Sequence, residues 1–252
     1  MMKRIDYIKI LISLLIYASL SNQAAQSQVL ISLLLGDKLN SGDIEFGLDG
    51  GFNYSDMSNS EGNWARGLNL GFFFYFKLKE NSWIHTGVLV KSPFGGNNLY
   101  PYPTGDEDVD SLMLTDGHIN RNIRYFNVPI TYCHYIYKPF FVEGGVMLGL
   151  RNKAFDEFIS KSTVGDEIVV KRDIKNQVKA LDAGLLAGVG YKFQKGLGIA
   201  LGARYYYGLV NVHTDVNDIK HKNSNLYLFI TVPVGKGRAE KKKAEKEQIN
   251  NN

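Results

Sequence analysis

The sequence predicts an all-β chain, namely a closed, antiparallel, up-and-down transmembrane β-barrel of about eight strands, preceded by a signal peptide. Three observations carry that expectation. Segments of strict apolar–polar alternation recur along the chain, beginning with "DIEFGLDGGFNYSD" (Asp43 to Asp56). The joints between these segments are alternately tight and long. The N-terminus joins a basic start to a short apolar run. A chain of 252 residues accommodates one such domain, because all-β barrels of this length are commonly single units.

The elements follow in order. "MMKRIDYIK" supplies a basic start, and "ILISLLIYASL" (Ile10 to Leu20) has the length of a signal-peptide core rather than of a membrane-spanning helix. Ser19 and Ser21 place cleavage after Ser21, with Ala24 or Ala25 as alternatives, so residues 1–21 read as a signal peptide and the chain as exported. No cysteine follows the run to accept a lipid. Cys133 is the only cysteine, which excludes an internal disulfide. Residues 22–42 contain "VLISLLLGDKLNSG", apolar without alternation, read as a short segment under the barrel or as a leading strand.

The barrel itself is expected over residues 43–234. Alternation has period two, so each strand offers one face per parity. In the first strand Ile44, Phe46, Leu48, Phe52 and Tyr54 oppose Glu45, Gly47, Asp49, Gly51 and Asn53. "RGLNLGFFFYFKL" sets Leu68, Leu70, Phe72, Phe74 and Phe76 against Gly67, Asn69, Gly71, Phe73, Tyr75 and Lys77. "SWIHTGVLVK" sets Ile84, Thr86, Val88 and Val90 against His85, Gly87 and Lys91. "RYFNVPITYCHYI" sets Phe126, Val128, Ile130 and Tyr132 against Tyr125, Asn127, Thr131 and Cys133; Pro129 within it removes a ladder donor, so a bulge is expected there. "PFFVEGGVMLGLR" and "ALDAGLLAGVGYKF" place Glu143 and Asp182 on glycine-rich faces. "LGIALGARYYYGL" does the same for Arg204, and "NLYLFITVPV" closes the series.

Short joints ("KENS", "YKP", "QKG") alternate with long polar connections at residues 55–64, 92–122, 152–179 and 211–223. Long loops on one rim and short turns on the other is the layout of an outer-membrane barrel. The polar face is dominated by glycine with single charges, which suits the narrow interior of eight strands. The apolar face is large, with aromatic residues at both ends. Tyr54, Phe126, Tyr205 and Tyr207 fall at the loop end, and Phe76, Tyr132, Phe140 and Phe193 at the turn end, as two interfacial girdles. The apolar face is therefore expected to meet lipid. A secreted lipocalin-like barrel, whose apolar face would line a ligand cavity, is the soluble alternative.

Glu45, Asp49, Glu143, Asp182 and Arg204 then face the lumen, joined by Lys91 and Lys192. Buried carboxylates must pair or stay protonated, so salt-bridged plugs are expected, with Glu143–Arg204 as the leading pair. His118 beside Asp116 and His213 beside Asp215 lie on outer loops, where an Asp–His pair at the rim would serve an enzyme. No activated serine or cysteine lies near either in sequence. His85 reads as a lumen residue and His134 as a rim residue. "GDEDVD" (Gly105 to Asp110) lacks the ligand spacing of a calcium loop and reads as a solvated acidic segment. The aromatic "LYPYP" before it offers either a contact surface or self-packing. No catalytic, cofactor or metal-ligating set emerges.

The formal net charge is +4, and much of it lies in the tail "GKGRAEKKKAEKEQINNN", residues 235–252, read as a basic periplasmic extension. Charge gathered in a tail rather than over a folded face argues against a nucleic-acid partner.

"VLISLLLGDKLNSGDIEFGLDGGFN", "RYFNVPITYCHYIYKPFFVEGGVMLGL" and "ARYYYGLVNV" together resemble the outer-membrane β-barrel proteins of Bacteroidota, including the PorT-like group. Tyr125 and Pro129 match that family's Tyr-x-x-x-Pro strand, Phe140 to Gly149 the glycine-rich strand after its short turn, and Arg204 to Leu209 the penultimate strand. The chain departs from such barrels in continuing past Val234 instead of ending on a terminal aromatic. The resemblance implies an outer-membrane location and, for the PorT-like group, a secretion accessory. The expected function is a non-enzymatic barrel with a side-chain-filled lumen, acting as membrane scaffold, surface-exposed interaction protein or secretion accessory. A small-solute pore is the alternative, and a rim-active enzyme a further one. The expected partners are outer-membrane lipid and, through the tail, a periplasmic or secretion-machinery protein, with both termini periplasmic.

Overall fold

A computed structural model describes residues 43–105, 107, 110–111, 117–161, 167–194, 197–214 and 220–234. The expected signal peptide (1–21), the segment 22–42 and the basic tail (235–252) lie outside the described residues. The described residues form ten antiparallel strands: β1 (Ile44–Met57), β2 (Asn63–Lys79), β3 (Ser82–Lys91), β4 (Pro93–Leu99), β5 (His118–Tyr137), β6 (Phe140–Lys161), β7 (Glu167–Asp173), β8 (Leu181–Lys192), β9 (Ala200–Gly208) and β10 (Asn223–Pro233). A single 3₁₀ turn, Lys175–Gln177, separates β7 from β8.

These ten strands occupy eight positions in the wall. β3 and β4 both lie between β2 and β5, and β7 and β8 both pair with β6. Each position pairs with its sequence neighbours, and β1 closes the cylinder on β10 from Gly47↔Pro233 to Met57↔Asn223. The fold is a closed antiparallel meander.

Burial follows the parity read from the sequence, except that Phe46 of the apolar face is buried too. In β1 Glu45, Gly47, Asp49, Asn53, Ser55 and Met57 are buried, while Phe52 is exposed. In β2 Asn69, Gly71, Phe73 and Tyr75 are buried, and Leu68 and Leu70 are exposed. Leu181, Leu185, Val189, Leu201, Tyr205, Leu228 and Ile230 continue the exposed apolar face around the cylinder. An exposed apolar surface that encircles a closed sheet is stable only where lipid is the solvent.

The structure corrects three expectations. Two of the long connections carry strand: within 152–179 β6 runs to Lys161 and β7 pairs with its outer half, and β4 occupies part of 92–122. "KAFDEFIS" alternates as the earlier segments do, with Ala154, Asp156, Phe158 and Ser160 buried. Its charges hid the pattern, because beyond the bilayer the outward face meets water. Pro129 sits in unbroken register with Met147, and the wall is bulged instead at Arg124/Tyr125. A second bulge between Leu70 and Gly71 brings Lys91 opposite Leu70, so Lys91 is exposed on the outer face and is not a lumen charge. One extra residue in a strand reverses the parity beyond it.

The interior is filled by rings laid against glycines. Phe141 lies opposite Gly190, Phe73 opposite Gly47 and Phe229 opposite Gly202. The three atoms nearest a Cβ built on Gly190 all belong to the Phe141 ring, Cε1 at 2.6 Å and Cε2 at 2.8 Å among them. Gly144 faces outward with nothing within 4 Å of such a Cβ. Gly190→Val should therefore destabilise the barrel by about 1–3 kcal/mol, as overpacking does, whereas Gly144→Val should be close to neutral. Urea unfolding midpoints in detergent micelles check the contrast, and equal effects at both positions would refute ring-on-glycine packing.

Candidate lumen plug and outer rim

The lumen is layered. At the turn end Phe73, Tyr75, Cys133, Phe141, Ala200 and Phe229 form an apolar cluster. Beside it Lys192 Nζ donates to both oxygens of Glu45 at 2.7 Å. The middle layer is ionic. Arg204 donates from Nε to Glu143 Oε1 at 2.5 Å and from Nη1 to Asp49 Oδ2 at 2.7 Å. His85 Nδ1 hydrogen-bonds Glu143 Oε2 at 2.9 Å, and the Thr131 hydroxyl donates to the same oxygen at 2.9 Å. Arg204 also stacks its guanidinium 3.7 Å from the centre of the Phe229 ring, and Tyr75 stacks on His85. The loop-side half is apolar again, built from Leu89, Phe94, Ile123, Tyr125, Met147, Leu186, Tyr206 and Tyr227.

Glu45, Asp49, Glu143, Asp182 and Arg204 are all buried. Four of these five join the two ion-pair groups. Asp182 stands apart, accepting from the Asn223 side-chain amide at 2.8 Å and from the Ala183 N–H. Its carboxylate is satisfied by dipoles rather than by a cation. Lys192 and Thr131 complete the plug, and alternation alone did not single out Thr131, since one hydroxyl among lumen residues carries no distinguishing mark. Among the girdle residues Tyr205, Tyr207, Tyr132, Phe140 and Phe193 are exposed, and Tyr54, Phe126 and Phe76 are half-buried. His134 lies on the outer side at the turn rim, hydrogen-bonded to Ser82 and stacked on Tyr132.

The cavity beside Arg204, lined by Asp49, Asn69, Met147 and Tyr227, measures about 10 Å³. That is close to the lower limit for one water molecule.

At the outer rim Arg121 holds Asp156 through two parallel bonds, Nε to Oδ1 at 2.8 Å and Nη2 to Oδ2 at 2.7 Å, and the Tyr102 hydroxyl donates to Oδ2 at 2.9 Å. Burial beside that carboxylate pushes the Tyr102 hydroxyl up to about 12. Arg121 Nη1 donates to His213 Nε2 at 3.0 Å, and His213 meets the ring of His221 edge-on. Burial, reinforced by Arg121, lowers His213 to about 4. The neutral imidazole therefore spends its basic nitrogen on a guanidinium N–H, a poor arrangement for a general base. Asp116 and Asp215, the carboxylates expected beside His118 and His213, lie outside the described residues. Of the acidic run, Asp106, Asp108 and Val109 lie outside them too. Asp110 turns inward on its own loop, where the Thr104 hydroxyl and N–H hold its carboxyl below the usual range.

A polar cleft of about 110 Å³ opens beside this cluster, lined by Ser55, Arg66, Asn97, Asn120, Arg121 and Glu157 among others. It lies where ladder pairing between β2 and β4 lapses, between Trp64↔Gly96 and Leu70↔Lys91. β1 side chains stand in for the missing ladder: Asn53 Nδ2 donates to the Pro93 carbonyl at 2.6 Å and the Ser55 hydroxyl to that of Gly95 at 3.2 Å.

With the closed wall, its lipid-type exterior and its filled interior established, the sequence comparisons decide the assignment. The model of the outer membrane protein beta-barrel domain matches residues 24–214. The chain belongs to this family. The protein is thus an outer-membrane β-barrel of a bacterium. Its fold is similar to that of Ail, the attachment invasion locus protein of Yersinia pestis, at 14% identity over 76% of this chain and 99% of that one, with a TM-score of 0.38. It is likewise similar to OprG from Pseudomonas aeruginosa, at 10% identity over 77% of this chain and 95% of that one, with a TM-score of 0.32. No curated protein sequence matches the chain.

Two outcomes follow. Glu143→Leu leaves Arg204 and His85 buried without their shared carboxylate, so unfolding in micelles should become easier by about 3–5 kcal/mol. A change near zero would mean the triad does not hold the lumen. At the rim, His213 is neutral when folded down to about pH 4 but titrates at 6.5 when freed. Unfolding takes up a proton between those values, so stability falls as pH drops from 6.5 towards 4 and is unaffected by His213 above 6.5. Unfolding midpoints across that range should depend less on pH in His213→Gln, and unchanged dependence would refute the assignment.

Proposed function

We propose that this barrel is a non-enzymatic outer-membrane protein that works through its loop-end surface, as a scaffold or surface-exposed interaction protein, and not by conducting solute. One observation carries the reading: the lumen is crossed by the Glu143–Arg204–Asp49 group, with apolar clusters on either side. An ion pair bonded from both sides in so narrow a space blocks the axis, because opening it would strand charges in a poorly hydrated interior. The rim histidine engaged by Arg121 supports the non-enzymatic reading. In this reading the long-loop end faces the exterior, both termini face the periplasm after signal removal, and the basic tail meets a periplasmic partner. A secretion-accessory role, as in the PorT-like proteins that the sequence resembles, is the form this takes if that partner is secretion machinery.

A specific observation favours a small-solute pore as the second reading. Among the described residues His85 Nε2, Asn69 Oδ1, Asn127 Nδ2 and Arg204 Nη2 are buried without a hydrogen-bond partner, and such atoms invite water. Single-channel recording of the refolded mature protein in planar bilayers separates the two. Silence from protein shown to have inserted is the expected result; steady, reproducible openings would overturn the plug and make transport the function.

A further inference from the structure

The outward face of the barrel changes character abruptly at the loop end. Below, each strand presents Leu, Val, Phe or Tyr to lipid. At the upper edge of that band five cations follow in turn around the wall: Arg66 on β2, Lys91 at the end of β3, Arg124 on β5, Lys153 on β6 and Lys222 just before β10. Arg66 is directly opposite the girdle residue Tyr54, with its guanidinium 6.0 Å from the ring centre, and Lys91 is opposite Leu70. Lys222 Nζ lies 5.6 Å from the centre of the Tyr207 ring. Arg124 and Lys153 face one another directly across the β5–β6 ladder.

Like charges placed directly opposite are destabilising, yet among the described residues none of the five has a carboxylate within ion-pair distance. Of the described carboxylates on this outer side, Glu157 lines the same cleft as Arg66 but is paired with a different cation. Glu157 pairs with Lys171, Asp173 accepts from the Lys175 N–H, and Asp56 stands opposite Ser224. At the turn rim the exposed charges are mixed, with Lys77, Lys79 and Lys138 beside Asp43 and Glu80. The collar of unopposed cations therefore belongs to one end only. It sits at the height where aromatic girdles mark the headgroup layer, with long stems able to lie along the apolar wall and hold their charges at that level.

We propose that this collar binds the phosphate groups of anionic lipid in the leaflet at the loop end, so that the barrel carries a selected ring of phospholipid or phosphorylated glycolipid around its upper rim. Charge complementarity names the occupant. A headgroup phosphate supplies the anion missing between Arg124 and Lys153, and its acyl chains continue onto the Leu, Val and Phe face directly below. Calling that leaflet the outer one rests on the orientation proposed above; the collar itself does not.

Full-length protein reconstituted into vesicles tests this by tryptophan quenching. Trp64 lies two residues from Arg66 on the same face of β2 and is half exposed, so with Trp83→Phe it reports the loop end alone. Leu78→Trp, placed in Trp64→Phe/Trp83→Phe protein, reports the turn end. Each is measured in phosphatidylcholine vesicles containing a minor fraction of dibrominated phosphatidic acid, or the same fraction of dibrominated phosphatidylcholine. The expected result is about threefold stronger association of the brominated anionic lipid at Trp64, from the attraction of several clustered cations, and a ratio near one at the turn end. Arg66→Gln/Arg124→Gln/Lys153→Gln should return the Trp64 ratio to one without altering quenching by the neutral lipid. Equal quenching by both lipids at Trp64 would overturn the proposal. So would an equal preference at the turn-end reporter, which would indicate attraction to the protein as a whole. Loss of the preference when inorganic phosphate replaces chloride at matched ionic strength would overturn it too, marking a free-anion site. None of these outcomes depends on whether the lumen conducts.

Discussion

Backbone pairing inside a bilayer is the constraint on which everything else here depends. A strand in hydrocarbon has no water to satisfy its N–H and C=O groups, so a sheet can exist there only if its two edges find each other. β1 and β10 do so along the registers from Gly47↔Pro233 to Met57↔Asn223. Where the β2–β4 ladder lapses, the same demand reappears locally, and Asn53 and Ser55 reach from β1 to the Pro93 and Gly95 carbonyls. The lapse lies between Arg66 and the cations of β3 and β5, where water and headgroups can share the work. Deeper in the wall an unpaired stretch would have no such help.

Closure with eight positions fixes the width, and the width dictates the inner residues. A cylinder this narrow is just wide enough for side chains to fill, so its inner surface meshes with itself. Glycine opposite a ring solves the problem of volume, as in Gly190 against Phe141 and Gly202 against Phe229. Apart from Asp182, the described charges in this space are mutual partners. Arg204 answers Glu143 and Asp49, His85 and Thr131 take the remaining oxygen of Glu143, and Lys192 answers Glu45. Replacing such a group by apolar residues is often neutral or stabilising in soluble cores. What its presence in the middle layer does add is a tie across the lumen: its bonds bridge β1, β6 and β9, strands that are not all neighbours.

Most of this was legible from period-two alternation, and the failures have definite physical causes. The parity of Glu45, Asp49, Glu143, Asp182 and Arg204 could be read because a glycine-rich face and a face of Leu, Phe and Tyr differ sharply in composition. Lys91 could not, because the bulge beside Leu70 inserts a residue that no alternation pattern records. The Asp156–Arg121–Tyr102 cluster escaped for a related reason. Above the bilayer the outward face becomes polar, so "KAFDEFIS" and "EIVVKRD" lose the contrast that identifies a lipid-facing strand, though Ala154, Asp156, Phe158 and Ser160 of the first are buried and Ile168 and Val170 of the second are half-buried against the same core. Partner choice was illegible throughout. Nothing in spacing distinguishes the salt-bridged Glu143 from Asp182, which ends on an amide.

That change of outer solvent also makes sense of where the wall is irregular. Two of the loop-side bulges, Leu70/Gly71 and Arg124/Tyr125, lie at the level where the outward residues switch from apolar to cationic. A bulge adds twist and re-aims the side chains beyond it. Lys91 is turned out by the first, and Lys153 stands just beyond the second, opposite Arg124. Beyond them the inner face also changes, from the charged middle layer to the continuous core of Phe94, Ile119, Ile123, Ala154 and Phe158. The upper barrel therefore behaves as a small water-exposed β domain mounted on a membrane-spanning one, built from the same strands. Its core explains how a rim standing clear of lipid can hold Arg121, Asp156 and His213 in fixed geometry. Rigid presentation of polar groups at the loop end, over a base filled by side chains, is the arrangement on which the proposed interaction surface rests.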